Sequence, residues 1–413
     1  MEKEKLSSVI EVLESGARPK GGAVEFQADT IPSLGAEHLN DFGGFNFDKV
    51  KYVPKSFFND MTKGIIGKGD ILVVKDGATT GKVSIVDDSF PFEKAAINEH
   101  VFLLRVSKDK AFNGYVFHFL KSPIGQIEIQ KDFRGATVGG ISRRFIDLIK
   151  LPFPPIKDQV RIANILSKAE VLISQRKESL RLLDELLKST FLEMFGTPTN
   201  PKYETEVLDN LSLKITDGTH QSPKFTESGI PFILVSNIVD NEIVYDTSKF
   251  ITEEEYNELI KRTPIEIGDI LYTTVGSYGN AALVKSTKKF CFQRHIGYIK
   301  PDKAKINNTY LFGAMKSSFV RTQVDKAVKG VAQLTLNLSE LKKIKIPVPP
   351  IKLQTQFAHI VEKTEALKAH YQTSLQELEN LYGSLSQQAF KGELSLTKEI
   401  YLQTDKVSLA AEP

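Results

Sequence analysis

Ile146-Asp147-Leu148-Ile149-Lys150-Leu151-Pro152-Phe153-Pro154-Pro155-Ile156-Lys157-Asp158-Gln159 returns 195 residues later (349 − 154) as Leu341-Lys342-Lys343-Ile344-Lys345-Ile346-Pro347-Val348-Pro349-Pro350-Ile351-Lys352-Leu353-Gln354. A period that long is two copies of a whole domain, since solenoid units recur every 20 to 50 residues or so. The same shift pairs Tyr115 with Tyr310, Lys121-Ser122 with Lys316-Ser317, and Gly135 with Gly330. Upstream the shift is 199: Ile31-Pro32 faces Ile230-Pro231, Gly69-Asp70-Ile71-Leu72 faces Gly268-Asp269-Ile270-Leu271, and Gly77 faces Gly276. The four-residue difference is expected in the loop after Gly81.

After each Pro-Pro the texture changes from Gly-punctuated, β-rich sequence to a stretch that reads as a long helix. The first runs from Asp158 to Phe195, and the second from Leu353 to Tyr382 and on past Gly383 to about Phe390. Positions alternately three and four apart form a mostly apolar seam in the first: Ile162, Leu166, Ala169, Ile173, Arg176, Leu180, Leu183, Leu187, Thr190 and Met194. Its counterpart is Phe357, Val361, Thr364, Lys368, Tyr371, Leu375, Leu378, Tyr382, Leu385 and Ala389. That spacing argues for a coiled coil. The polar members, Arg176 and the Lys368 region set opposite it, either fix register or form a solvated middle.

Each repeat carries short strands, Asp70–Val74 and His100–Val106 in one, Asp269–Thr273 and His295–Lys300 in the other. Helical patches follow at Tyr115–Lys121 and Tyr310–Lys316. Glycines 77, 81, 276 and 279 mark tight turns after the first strand of each pair. The fold class is α+β: two duplicated domains joined by two long helices in an antiparallel coiled coil with pseudo-twofold symmetry. The divisions are residues 1–155 (domain one), 156–196 (helix one), 197–350 (domain two), 351–393 (helix two) and 394–413 (a loosely ordered tail). Short connections force the helices to pair antiparallel, and helix one, at 1.5 Å per residue, spans on the order of 57 Å.

Composition narrows the class. With 413 residues, 41% hydrophobic and a net charge of +3, the chain supports substantial cores and permits nucleic-acid binding without demanding it. No apolar run approaches the roughly 18 to 20 residues of a membrane span, and the charged start has no signal-type stretch behind it, so a cytoplasmic location is expected. A single cysteine, Cys291, excludes internal disulfides and Cys-based zinc sites, and reads as a small buried strand residue. The seven histidines include no His-x-x-x-His pair, so no metal is expected. His100 and His295, equivalent in the repeat, read as framework. The run Gly77-Ala78-Thr79-Thr80-Gly81-Lys82-Val83 has the wrong spacing for a phosphate-binding loop of the nucleotide type. It is either a turn offering Thr and Lys to a DNA phosphate or a plain strand turn. The prolines at 154–155 and 349–350 follow Phe153 and Val348, and Asn200-Pro201-Lys202-Tyr203 lacks a second proline. An adenine methyltransferase's Asn/Asp-Pro-Pro-Tyr/Phe loop is therefore missing.

The ordered set of motifs, appearing twice, resembles the specificity subunit of type I restriction-modification enzymes over nearly the whole chain. Asp217-Gly218-Thr219-His220-Gln221-Ser222-Pro223 followed by Gly229-Ile230-Pro231-Phe232 is also typical of that family's recognition domains. In the first half Ser15-Gly16-Ala17-Arg18-Pro19-Lys20 replaces it. The resemblance implies a non-catalytic subunit that reads double-stranded DNA at an asymmetric bipartite site with a fixed spacer. It implies docking of two modification (methyltransferase) subunits and of restriction subunits, with no cofactor on this chain. S-adenosylmethionine, ATP and Mg are expected on the partners. A stand-alone two-domain DNA-binding regulator and a purely structural scaffold are the other readings.

Candidate DNA contacts are basic and polar loop residues, because phosphate contacts position and base-edge contacts specify. In domain one they are Arg18, Lys20, Lys75, Thr79, Thr80, Lys82, Arg134, Arg143 and Arg144. In domain two they are His220, Gln221, Lys224, Ser277, Tyr278, Asn280, Arg294, Lys329 and Gln333. Arg134 and Lys329, beside the equivalent Gly135 and Gly330, are the foremost, and their shared position suits backbone positioning.

Overall fold

The computed structural model describes residues 2–135, 139–330 and 333–394, so residues 395–413 of the expected tail lie outside the described residues. The described residues divide into two compact units, one drawn from 1–176 with 374–413 and the other from 177–373. Each unit therefore holds one α+β domain together with half of each long helix.

In the first unit a four-stranded antiparallel sheet has the order Ile10–Ser15, Val101–Val106, Ile71–Val74, Val83–Ile85. A three-stranded sheet pairs Thr30–Leu34 with Lys51–Pro54 antiparallel and with Ala96–Ile97 parallel. The central strand Ile71–Val74 is buried throughout, and the period-two alternation of a strand assigns its faces to different cores. Ile71 and Val73 join Tyr115, Phe119, Ile162, Leu166 and Phe390, whereas Leu72 and Val74 join Leu34, Ile97 and Leu103. The second unit repeats the plan with Ser212–Asp217, Ile296–Pro301, Ile270–Thr273 and Ala281–Leu283. Its smaller sheet is Phe250–Ile251, Ile230–Ile233 and Cys291–Phe292. Cys291 is 3% exposed, and burial pushes its thiol up to about 12.

The repeated motifs are structural clamps. Gly69 and Gly268 have φ of +89° and +96°, and a Cβ on either would sit 2.6 or 2.3 Å from the side-chain nitrogen of Asn113 or Asn308. The next residue, Asp70 or Asp269, accepts the N–H of Gly67 or Glu266 at 2.7 or 2.8 Å, closing the turn into the central strand. Asp70 then takes Arg105 in a bidentate pair, while Asp269 takes the Tyr298 hydroxyl at 2.7 Å and Lys300 at 3.5 Å. In the Pro-Pro motif, Gln159 accepts the Phe112 N–H and donates to the Pro154 carbonyl, both at 2.9 Å. Gln354 does the same with Asn307 and Pro349. The Tyr115 and Tyr310 hydroxyls donate to the carbonyls of Pro152 and Pro347 at 2.8 and 2.7 Å. These bonds tie the start of each long helix to its domain.

The long helices are Ile156–Phe195 and Ile351–Lys391, each starting two residues earlier than the texture suggests and the second carrying Gly383 within it. Within the second unit they run antiparallel, since Asp184 meets Lys368 and Phe191 meets Phe357. Lys368 is 5% exposed and donates to Asp184 at 2.7 Å, so this polar seam residue is a buried, directional contact and not solvated. One part of the expected seam is corrected. Its last two members in the first helix, Thr190 and Met194, are only half-buried, and Phe191 and Phe195 are fully buried in their place. A straight helix turns every 3.6 residues and drifts off a 3.5-residue seam by about 20° per heptad, and here the aromatic pair faces Tyr310 of the domain and Phe357 of the second long helix.

The gap between repeats also falls differently from expectation. The shift drops from 199 to 198 inside the turn, because Gly77–Gly81 is answered by Gly276–Gly279. It drops to 195 between Val83–Ile85 and Ala96–Ile97, answered by Ala281–Leu283 and Cys291–Phe292. One residue is lost in the turn and the rest beyond it.

Candidate nucleic-acid interface

Antiparallel pairing brings alternate strand ends to a common edge. In domain one the ends at Ser15 and Val74 and the starts at Val83 and Val101 share one edge of the four-stranded sheet. The loops leaving that edge are 16–29, 75–82 and 98–100. Arg134 and the stretch 139–141 fold onto them: Arg134 bridges Gly140, the Ile141 N–H donates to the Lys75 carbonyl at 2.8 Å, and the Gly77 N–H donates to the Gly139 carbonyl at 3.1 Å. Domain two builds the same rim from 218–221, 274–280 and 293–295. There Lys329 bridges Thr335, the Leu336 N–H donates to Thr274 at 2.8 Å and the Gly276 N–H to Leu334 at 3.1 Å. The glycine that ends the first strand is required by close packing: a Cβ on Gly16 would lie 1.7 Å from the Ile97 carbonyl oxygen, and one on Gly218 2.1 Å from that of Phe292. Ser15-Gly16 thus stands structurally where Asp217-Gly218 stands.

The first rim collects Arg18, Lys20, Lys75, Thr79, Thr80 and Arg134. Arg18 lies 3.8 Å from Glu99 and is 63% exposed, while Lys20 and Thr79 are exposed. Lys75 donates to the Glu99 carbonyl at 3.1 Å and lies 3.6 Å from Asp76, which holds the His100 ring at 2.5 Å. Thr80 is a turn residue, its hydroxyl donating to Gly77 at 2.7 Å. Arg134 is 66% exposed and pairs at 3.3 Å with the buried Asp132. Two candidates are engaged elsewhere. Lys82 is tied to Asp41 at 2.6 Å, and Arg143 donates to the Leu13 carbonyl. Arg144 is exposed and precedes the short helix Phe145–Leu148 without a side-chain capping bond.

On the second rim Gln221, Ser277, Arg294, Lys329 and Gln333 are exposed, and Lys224 is exposed on the loop beyond it. Tyr278 is turned to the helix Ser318–Ala327, where its hydroxyl donates to Asp325 at 3.1 Å and the Arg321 guanidinium lies 4.6 Å from its ring centre. Asn280 locks the turn, donating to the Ser277 carbonyl at 3.1 Å. His100 is exposed, against the framework reading of its side chain, although the His100 and His295 carbonyls accept equivalent N–H groups from Lys75 and Thr274.

Three rim residues escape a motif search. Asp132, 1% exposed, accepts the N–H and hydroxyl of Ser142 at 2.7 Å each as well as Arg134, and so ties both ends of the 134–140 segment together. Asp76 orients His100 and Lys75. Arg262 reaches the rim from outside its loops, on Asp217; its one sequence signal is that the 199-residue shift sets it against Lys63. Replacing Asp132 by Ala is expected to cost about 1–3 kcal/mol through the unpaired Ser142 amide. Hydrogen exchange of that amide should rise at least tenfold, and unchanged exchange would remove Asp132 from this role.

The chain also stands among known proteins. Residues 1–182 and 214–380 match the family described as the type I restriction modification DNA specificity domain. The Type I restriction enzyme EcoBI specificity subunit of Escherichia coli is 25% identical over 87% of this chain and 82% of its own length. The EcoKI specificity subunit of Escherichia coli strain K12 is 23% identical over 94% and 88%. A crystal structure of the S subunit of a type I restriction-modification system from M. genitalium has the same fold, with TM-score 0.55 and 18% identity over 96% of both chains. With the family match covering well over half of its residues, in two blocks that coincide with the two repeats, the chain belongs to the type I restriction modification DNA specificity family.

Proposed function

We propose that this chain is the DNA-recognition subunit of a type I restriction-modification complex. Each rim reads one half of a bipartite site, and modification and restriction subunits assemble on the chain. The observation that carries the reading is the duplicated rim: the same sheet edge, in both repeats, gathers the exposed cationic and amide side chains on loops braced by equivalent backbone bonds. The rims agree in frame and differ in side chains, with Arg18, Lys75 and Arg134 on one and His220, Arg294 and Lys329 on the other. Two unlike half-sites follow. Lys and Arg there supply the salt-dependent phosphate attraction, and the polar side chains the base-edge contacts.

The subunit is proposed to be non-catalytic and to hold no cofactor, with S-adenosylmethionine, ATP and Mg bound by its partners and the complex at work on DNA in the cytoplasm. The stand-alone regulator is less well supported, because the chain matches 82% and 88% of the length of relatives named as specificity subunits.

Adenine-methylation mapping tests the proposal. Cells carrying this chain with its modification subunit should show a methylated motif with two unlike halves and a fixed unread spacer, absent from cells lacking the chain. A formed complex with no chain-dependent methylation would overturn it.

A further inference from the structure

Arg262, Asp217 and His220 form a braced donor set at the lip of a recess of about 320 Å3, whose walls include Thr219, Glu258, Thr263 and Phe292. Asp217 ends the edge strand and is 9% exposed. Its Oδ1 accepts Arg262 Nη2 at 2.5 Å and its Oδ2 lies 2.9 Å from His220 Nε2. A second weak contact, 3.4 Å from Arg262 Nη2 to Thr216 Oγ1, steadies the guanidinium further. Half of the Arg262 side chain stays exposed. Nη2 makes all of these contacts, the short one to Asp217 and weak ones at 3.4 Å to Thr216 Oγ1 and His220 Nε2, so Nε and Nη1 are left to donate outward and the second hydrogen of Nη2 joins them by giving up a weak contact.

We infer that this recess reads a guanine edge in the half-site contacted by domain two, with Arg262 donating to O6 and N7 and Asp217 acting as its positioning residue. The inference rests on the DNA-recognition reading above and names a ligand for one part of that rim. Charge decides between a base and a phosphate. Asp217 neutralises the guanidinium, and Glu258, on the recess wall, has its own partner in Lys261 at 2.7 Å. The arginine therefore brings donors without net positive charge, which disfavours an anionic phosphate and suits two neutral acceptors. Geometry agrees, since a planar fork held by one nitrogen presents adjacent parallel N–H groups, the pattern that matches guanine O6 and N7 in the major groove. The exposed Lys329 and Lys224 are suited instead to phosphates.

Domain one has no counterpart. Ser15 occupies the position of Asp217, Lys63 falls opposite Arg262, and Gly64 is packed on Gly16, its N–H donating to Glu14 at 2.6 Å. The contact belongs to one half-site only.

The test uses the complete methyltransferase complex. The wild-type motif is mapped first, and then those of Arg262→Ala, Arg262→Lys and Asp217→Asn, with thermal melting of each complex as the folding control. Arg262→Ala should relax one guanine position in one half, leaving the other half and the spacer unchanged. Its kcat/KM on the original site should fall about tenfold to a hundredfold, as for loss of one bidentate base contact. Duplexes carrying 7-deazaguanine at that position should cost the wild type at least tenfold and the Arg262→Ala complex almost nothing. Arg262→Lys, which keeps charge but not the fork, should relax the same position. Asp217→Asn should relax it partly. A uniformly slower reaction with an unchanged motif would make Arg262 a phosphate contact and overturn the inference. Wild-type rate and strictness in Arg262→Ala would overturn it too, and in both cases the DNA-recognition reading survives. Absence of any chain-dependent methylation by the wild type would remove both.

Discussion

Replacing Glu365 by Leu is expected to destabilise the second unit by about 3 kcal/mol or more, while the double replacement Lys316→Met with Glu365→Leu comes back to within about 1 kcal/mol of the parent. Lys316 Nζ lies 2.8 Å from Glu365 Oε1, with the two side chains 12% and 15% exposed where the domain meets the second long helix. Desolvation outweighs the attraction, so Lys316 is held below the ordinary lysine range although Glu365 draws it up; Lys368 lowers it further and Asp184 opposes that. Removing the carboxylate leaves a buried ammonium with only the pull of Asp184 and the Phe312 ring, 4.9 Å away, to offset its lost hydration. Removing both charges leaves only a packing problem between side chains of similar length.

The pH dependence has a definite sign. Between the lowered folded value and the ordinary 10.5 the unfolded chain binds the proton that the folded chain has released, so stability rises with pH across that window. Loss of Glu365 deepens the lowering, widens the window downward, and makes the single variant recover more stability than the parent as pH rises toward 10.5. The chain has no tryptophan, so the readout is hydrogen exchange of the strand Ile270–Thr273 against denaturant. A single variant as stable as the double would show that the pair is not a buried one. Lys121 and Glu170, 2.6 Å apart and 18% and 21% exposed, are the repeat of this pair in the first unit.

What was legible in the sequence was whatever the repeat fixes locally. Tyr115 with Tyr310, Gln159 with Gln354 and Gly69-Asp70 with Gly268-Asp269 recur because each makes the same short-range bonds in both copies, and a shift plot exposes them. The helix seam was legible as far as Leu187. Beyond it the choice of Phe191 and Phe195 over Thr190 and Met194 depends on the aromatic side chains of the domain, which periodicity does not contain. The rim was legible as loops after strands, whereas the direction of a loop side chain depends on distant segments. Lys82 is drawn away by Asp41, and Tyr278 by Arg321 and Asp325, all far from them in sequence. Arg262 escaped because Asp217, the carboxylate that aims it, lies 45 residues away in the chain. That pairing is made by the fold.

Acid is expected to loosen the first unit before the second, through His118. The imidazole is 1% exposed, with Nε2 2.9 Å from Ser167 Oγ and Nδ1 3.8 Å from Glu170 and without a hydrogen-bond partner. Burial lowers it to about 4; Glu170 draws it up and Lys121 adds to the lowering. The Tyr382 hydroxyl, also buried, is the other titratable group facing Glu170. A histidine lowered from 6.5 to about 4 stays neutral in the fold while the unfolded chain takes up a proton. Stability therefore falls as pH drops through that window, by roughly 1.4 kcal/mol per pH unit, and the loss levels off at about 3 kcal/mol below it. The second unit has Gly313 at the equivalent position, with Phe357 in the place of Ile162: a Cβ on Gly313 would lie 2.5 Å from Phe357 Cε1, so the aromatic ring fills the space that the imidazole fills in the first unit. His118→Gln keeps a hydrogen-bonding group beside Ser167 but removes the titration. Exchange protection of Val101–Val106 should fall between pH 6.5 and 4.5 in the parent by about 2 kcal/mol more than in His118→Gln, with Ile296–Pro301 serving as the internal reference. Other carboxylates titrate in both proteins and cancel in the comparison. If the two curves run parallel, His118 takes up its proton as readily in the fold as outside it, and the acid limb of the first unit belongs to other groups.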